Sequence, residues 1–197
     1  MQNDPATQNV QAMQNDPAMQ NDPATQNDQA IHNDPEIKEK FWKAVKSDMT
    51  MFLGLGAGED CHSRPMTAQL DERHWTDDSY HGPIWFFTST DSELYQKIGS
   101  GDRAVAHFTS KGHDLWATLH GGLSQSHDKE MIDRLWNRFV AAWYEGGRDD
   151  PKLALIRLDP DAAEIWLDSS SVIAGIKMLL GIDPKDDYKN KVAKISL

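Results

Sequence analysis

Arg64-Pro65-Met66-Thr67-Ala68-Gln69 and, downstream, Ile84-Trp85-Phe86-Phe87-Thr88-Ser89 are the two stretches that decide how this chain is read. The second belongs to a run of apolar and aromatic residues after the turn-prone Asp77 to Gly82, which reads as a strand over Pro83 to Thr88. Its aromatic bulk ends in the hydroxyls of Thr88 and Ser89. In the first stretch, Arg64 offers planar, permanently charged donors suited to a phosphate, while Pro65 withdraws one backbone donor and leaves neighbouring amides free to meet a ring edge. Together they describe a place for a planar ligand with an anionic tail.

Working outward, Met49 to Gly56 and Ser63 to Leu70 read as paired strands joined through Gly58-Glu59-Asp60. Arg103 to Thr109 and Leu115 to Leu123 form another pair around Lys111-Gly112-His113-Asp114. Lys152 to Leu158 and Glu164 to Leu167 read as two strands flanking an Asp159-Pro160-Asp161 turn. Helices fall between them. Asp34-Pro35-Glu36 announces one, with Ile37, Phe41 and Val45 on its inner face. Thr90-Asp91-Ser92-Glu93 has the form of a capping box, placing Leu94 and Ile98 on the buried side of a short helix. Met131, Ile132, Leu135, Trp136, Phe139 and Trp143 recur at helical spacing, so one helix with Trp136 and Trp143 on its core stripe is expected. A further helix is expected near Val172 to Leu180. Short antiparallel strands interleaved with helices predict a mainly β fold, a small barrel with flanking helices.

Residues 1–35 repeat Gln-Asn-Asp-Pro-Ala units with few large apolar side chains, the composition of a disordered or loosely attached arm. The domain proper is expected over 36–197. Net charge is −11, which argues against generic binding of nucleic acid or anionic membrane. Cys61 is the single cysteine, so no internal disulfide forms, and no stretch reads as a secretory or membrane-spanning segment. A cytoplasmic location is the expectation. The histidines lack the spacing of a tetrahedral metal site, and Gly54-Leu55-Gly56-Ala57-Gly58 reads as a hairpin turn, not a dinucleotide fingerprint.

The Arg64-Pro65-Met66 strand, Trp85-Phe86-Phe87-Thr88, Asp91-Ser92, Leu135-Trp136, Gly146-Gly147-Arg148-Asp149-Asp150-Pro151 and Glu164-Ile165-Trp166, in that order, resemble the general-stress-protein branch of the pyridoxamine 5′-phosphate oxidase-like superfamily. The resemblance implies a six-stranded antiparallel split β-barrel, a homodimer, and FMN at the subunit interface. It puts Arg64, Thr88 and Ser92 near the ribityl phosphate, Pro65, Met66 and Thr67 along the isoalloxazine edge, and Phe87 beside them. Trp136 would approach from the helix. Leu94 stands where relatives carry a phosphate-binding lysine, and Lys97, one turn on, shares its helix face. Gln69 replaces another lysine of the vitamin-oxidising enzymes, and the tail at 189–197 lacks their Arg-x-His region.

The function this resemblance implies is that of an FMN-dependent oxidoreductase of unidentified substrate with a nicotinamide electron donor. The cofactor would carry the electron transfer, so no catalytic side chain is assigned. The rival expectation is a non-enzymatic flavin binder or dimeric interaction protein with a partly vestigial pocket. Deazaflavin or haem is the remaining alternative for the pocket.

Overall fold

The computed structural model describes residues 35–56, 62–99, 102–168 and 192–197. All belong to the second of two units into which the chain divides, Met1–Ile31 and His32–Leu197. The expected arm up to Asp34, the turn at 58–60, Cys61 and the helix near 172–180 lie outside the described residues.

Helix α1 spans Pro35–Asp48 and buries Phe41, Trp42 and Val45. Met49 ends it in the left-handed conformation (φ 59°) and donates its N–H to Val45 O at 2.9 Å. The strands follow as β1 (Thr50–Leu55), β2 (Arg64–Thr67), β3 (Gln69–Leu70), β4 (Trp75–Thr76), β5 (Ser79–Tyr80) and β6 (Ile84–Ser89). After helix α2 (Glu93–Lys97) come β7 (Asp102–Thr109) and β8 (Leu115–Ser126), then helices α3 (Lys129–Leu135) and α4 (Arg138–Ala141), β9 (Leu153–Leu167) and β10 (Val192–Ser196).

The main sheet runs β2-β1-β7-β8-β9-β6-β3, antiparallel throughout, and β4 pairs with β5 in a hairpin of its own. Its two outermost strands, β2 and β3, are successive pieces of one segment separated only by Ala68. Chain continuity therefore closes the sheet into a barrel of six staves, as expected, although Ser63 to Leu70 is not one unbroken strand. Ala68 is buried, and its N–H turns to Met49 O at 2.6 Å. Alternation fills the interior: Ala104, Ala106 and Phe108 of β7 and Leu115, Ala117, Leu119 and Leu123 of β8 all point inward. Phe41 and Trp42 of α1 pack on this core, Phe41 edge-on to Phe108 at 6.1 Å and Trp42 against Tyr80 at 5.1 Å.

Asp159-Pro160-Asp161 is not the turn its composition suggests. It lies inside the 15-residue β9. One side of β9 pairs with β8 along its length, with a register shift between His120 and Gly121 where β9 runs from Ala162 to Pro160 and Asp161 is left without an opposite. The other side is shared: β6 pairs with Leu153 to Leu158, and β10 with Ala162 to Trp166. Pro160 occupies the handover between those partners, where its missing N–H breaks no ladder. This is the split in the barrel.

The helix expected from Met131 to Trp143 is two helices. Asn137 interrupts it, its Oδ1 accepting the N–H groups of Phe139 at 2.9 Å and Val140 at 3.1 Å. The helical phase restarts there, and Trp143 leaves the core stripe for solvent, 85% exposed. At α2 the cap is Ser92 rather than Thr90: Ser92 Oγ accepts Tyr95 N–H at 3.2 Å. Leu94 and Ile98 are buried as expected. Outside the barrel wall, Met131 and Leu135 of α3 pack on Trp85 and Leu155.

Candidate functional site

The strand alternation that builds the core also sorts the expected site residues into two adjoining groups. Met66 packs on the interior cluster, and Arg64, two residues earlier, pairs with the buried Leu53. Arg64 therefore points toward the barrel end that α2 covers. Pro65 and Thr67 point the opposite way, and both are exposed.

On the outward side lies a cleft of about 330 Å³. One wall is Pro65, Met66, Thr67 and Gln69; the other is Phe87, Thr88 and Ser89; Phe139, Val140, Trp143 and Tyr144 cross its mouth. Arg64 to Thr67 is paired with β1 on one side only, so alternate β2 amides face away from the ladder. Gln69 is buried and accepts Asn137 Nδ2–H at 3.3 Å, which ties β3 to the cap of α4. The Tyr144 hydroxyl donates to Thr88 O at 2.7 Å, fastening the helical wall to β6, and burial pushes its phenol up to about 12. Trp136 does not line the cleft. It stands edge-on behind Phe87 at 6.1 Å and against Tyr144 at 6.1 Å, with the Arg148 guanidinium 5.8 Å above its ring.

On the α2 side, Thr88 Oγ1 and Ser92 Oγ are 3.0 Å apart. Arg64, Glu93, Leu94 and Lys97, with His62 and Leu55, line a small hollow next to them. Arg64 Nη2 is 3.6 Å from Glu93 Oε2, and Lys97 Nζ is 2.8 Å from Glu93 Oε1. The hydrogen bond from Lys97 holds the Glu93 carboxyl below its ordinary value. Arg64 Nε is buried with no hydrogen-bond partner. A buried charged donor left open is costly unless a ligand or water meets it.

Of the ten residues expected at the site, the structure thus brings Pro65, Met66, Thr67, Gln69, Phe87 and Thr88 to one cleft. Arg64 and Lys97 line the adjoining hollow, Ser92 is bonded to Thr88, and Trp136 supports from behind. The wall formed by Phe139, Val140, Trp143 and Tyr144, and the presence of Glu93, were not foreseen. Asn137 was the available signal for the first, since a cap residue inside a helical pattern resets the face of everything after it. Among the described residues no cluster of three or more His, Cys, Asp or Glu is placed to hold a metal, and no helix is long and apolar enough to cross a membrane.

A six-stave split barrel with a part-buried arginine beside an aromatic-walled cleft defines the class. The chain belongs to the pyridoxamine 5′-phosphate oxidase like family, whose pattern it matches over residues 36–188. It is 56% identical to the general stress FMN/FAD binding protein of Xanthomonas citri, with 70% of this chain and 93% of that one covered at a TM-score of 0.63. A general stress family protein of Xanthomonas campestris pv. campestris is 57% identical, covering 70% and 92% at a TM-score of 0.63. A general stress protein 26 from Jannaschia is 25% identical, covering 83% and 99% at 0.66. Protein bli-3 of Neurospora crassa is 22% identical over 123 residues, and the chain spans 59% of that curated relative.

Proposed function

We propose that this protein binds FMN across the two adjoining groups and serves as a flavin-dependent oxidoreductase in the cytoplasm. Its partners in this reading are a nicotinamide electron donor and a second copy of itself, with the cofactor at the interface between protomers. The observation that carries it is the unpartnered, buried Nε of Arg64, whose guanidinium reaches Glu93, the residue after the Ser92 that bonds Thr88 Oγ1, one strand residue away from a cleft at the small end of the usual range for organic ligands. Arg64, Thr88 and Ser92 fit a phosphate by charge and by donors. Pro65, Met66, Thr67 and Phe87 fit a flat ring, and the outward amides of β2 supply donors for its polar edge. When bound, FMN supplies the electron transfer, while this chain's residues position it and exclude water. The resemblance to a protein described as FMN/FAD binding supports the same reading.

Titration of purified protein with FMN tests it through the flavin's fluorescence. Arg64→Ala should weaken FMN about tenfold or more, the scale of one charge-assisted contact, and leave riboflavin nearly unaffected. Equal losses for the two flavins remove Arg64 from the phosphate, and a colourless protein with no fluorescence response ends the proposal. Leu94 is buried and Gln69 is engaged with Asn137, which favours the non-enzymatic binder as the second reading. Anaerobic NADH or NADPH separates them: sustained turnover marks the enzyme, and bound but inert flavin marks the binder.

A further inference from the structure

Between Arg64 and Lys97 stands a carboxylate that a phosphate site does not require. Glu93 opens α2 and reaches both cations, Lys97 one turn along its own helix at 2.8 Å and Arg64 across on β2 at 3.6 Å. The hollow that these side chains share has a volume of about 10 Å³, room for at most one water. A phosphate group is larger than that, so its full approach to both cations requires Glu93 to give way. The Glu93 side chain is 55% exposed and that of Arg64 33%, so Glu93 is the one able to swing outward without leaving a buried atom unpacked. Arg64 stays, with its Nε still open.

We infer that Glu93 is a built-in anion that competes with the ligand's phosphate for Arg64 and Lys97, and thereby sets how far the site prefers a phosphorylated flavin to its dephosphorylated parent. This rests on the flavin reading above. Two effects act in the same direction: an incoming phosphate must displace the carboxylate from both cations, and the displaced charge still repels it nearby. Exposed ion pairs are individually weak, so the combined effect is modest, roughly threefold to tenfold in affinity. If Glu93 instead oriented Arg64 for the phosphate, its removal would have the opposite sign.

The test uses the full chain carrying Glu93→Gln, which keeps the side chain's size and removes its charge. FMN and riboflavin are titrated against it and the parent, with thermal melts to verify folding. FMN should bind roughly threefold to tenfold more tightly than to the parent, with riboflavin unchanged. In an Arg64→Ala background the gain from Glu93→Gln should shrink markedly, a coupling that a merely structural role does not produce. FMN affinity that is unchanged or weaker, or a gain shared equally by riboflavin, overturns the inference. A parent that prefers FMN to riboflavin while the variant leaves that preference unaltered sinks the role of Glu93 alone; a parent that binds neither flavin sinks the flavin reading with it.

Discussion

Gly121 and Gly122 sit side by side where β9 changes partners, yet replacing each by alanine should have opposite consequences. A Cβ on Gly121 would lie 2.2 Å from Asp159 O and 2.8 Å from both Asp159 C and Pro160 Cα. All three are backbone atoms of the facing strand, so no side-chain rotation relieves the clash. To reach ordinary contact, β8 and β9 must part by about 1 Å at the bulge. Overpacking of this kind costs about 1–3 kcal/mol, and the upper part of that range applies because the opposing atoms are rigid. For a domain of this size the melting temperature should fall by about 5–10 °C. A Cβ on Gly122 meets nothing within 4 Å, so Gly122→Ala should leave stability unchanged or raise it by about 0.4–1 kcal/mol through the unfolded chain. Urea denaturation of both variants at a common m-value measures the difference. Equal midpoints for the two, or a Gly121→Ala protein within about 0.5 kcal/mol of the parent, would refute the argument.

Asp71, 1% exposed, accepts from Arg73 Nε at 3.2 Å and Arg134 Nη1 at 2.8 Å, so Asp71→Asn should destabilise by about 1.5–3 kcal/mol in urea titrations by removing their buried counter-ion and leaving them the exposed Glu130. Tyr144 has its phenol raised to about 12 by burial, above the ordinary 10.0. The folded state therefore holds that proton more tightly than the unfolded one, and the stabilisation is complete below pH 10 and is lost as pH rises through 12. Stability measured across that window should decline less steeply in Tyr144→Phe than in the parent.

Much of the barrel was legible because β7 and β8 alternate, β6 is a continuous apolar run, and the turns carry Gly, Asp and Asn. β6 and β7 fall within a residue or so of where Pro83 to Thr88 and Arg103 to Thr109 place them. The opening of α1 at Pro35 follows from proline's fixed φ. Asp159-Pro160-Asp161 misled because turn composition is local, whereas a strand can bend there when its neighbour on one side ends and another begins. Trp143 misled for a related reason: its spacing from Trp136 is helical, but the Asn137 side chain satisfies two amides and starts a new helix between them. That Thr88 and Ser92 meet, and that Arg64 reaches the helix Ser92 caps, follows the order in which the sequence places them. Glu93 was not legible, since only the approach of β2 to α2 shows that its charge meets Arg64.

Residues 64 to 70 serve as the seam at which the two borders of the sheet meet, with Ala68 as the stitch. Pro65, Met66, Thr67 and Gln69 are therefore carried by the part of the wall whose loosening would unzip the whole ring. The amides of this segment that bond into the ladder, Ala68 among them, should therefore exchange slowly, while those turned to the cleft exchange freely, so that one strand carries both a fixed edge and an open one.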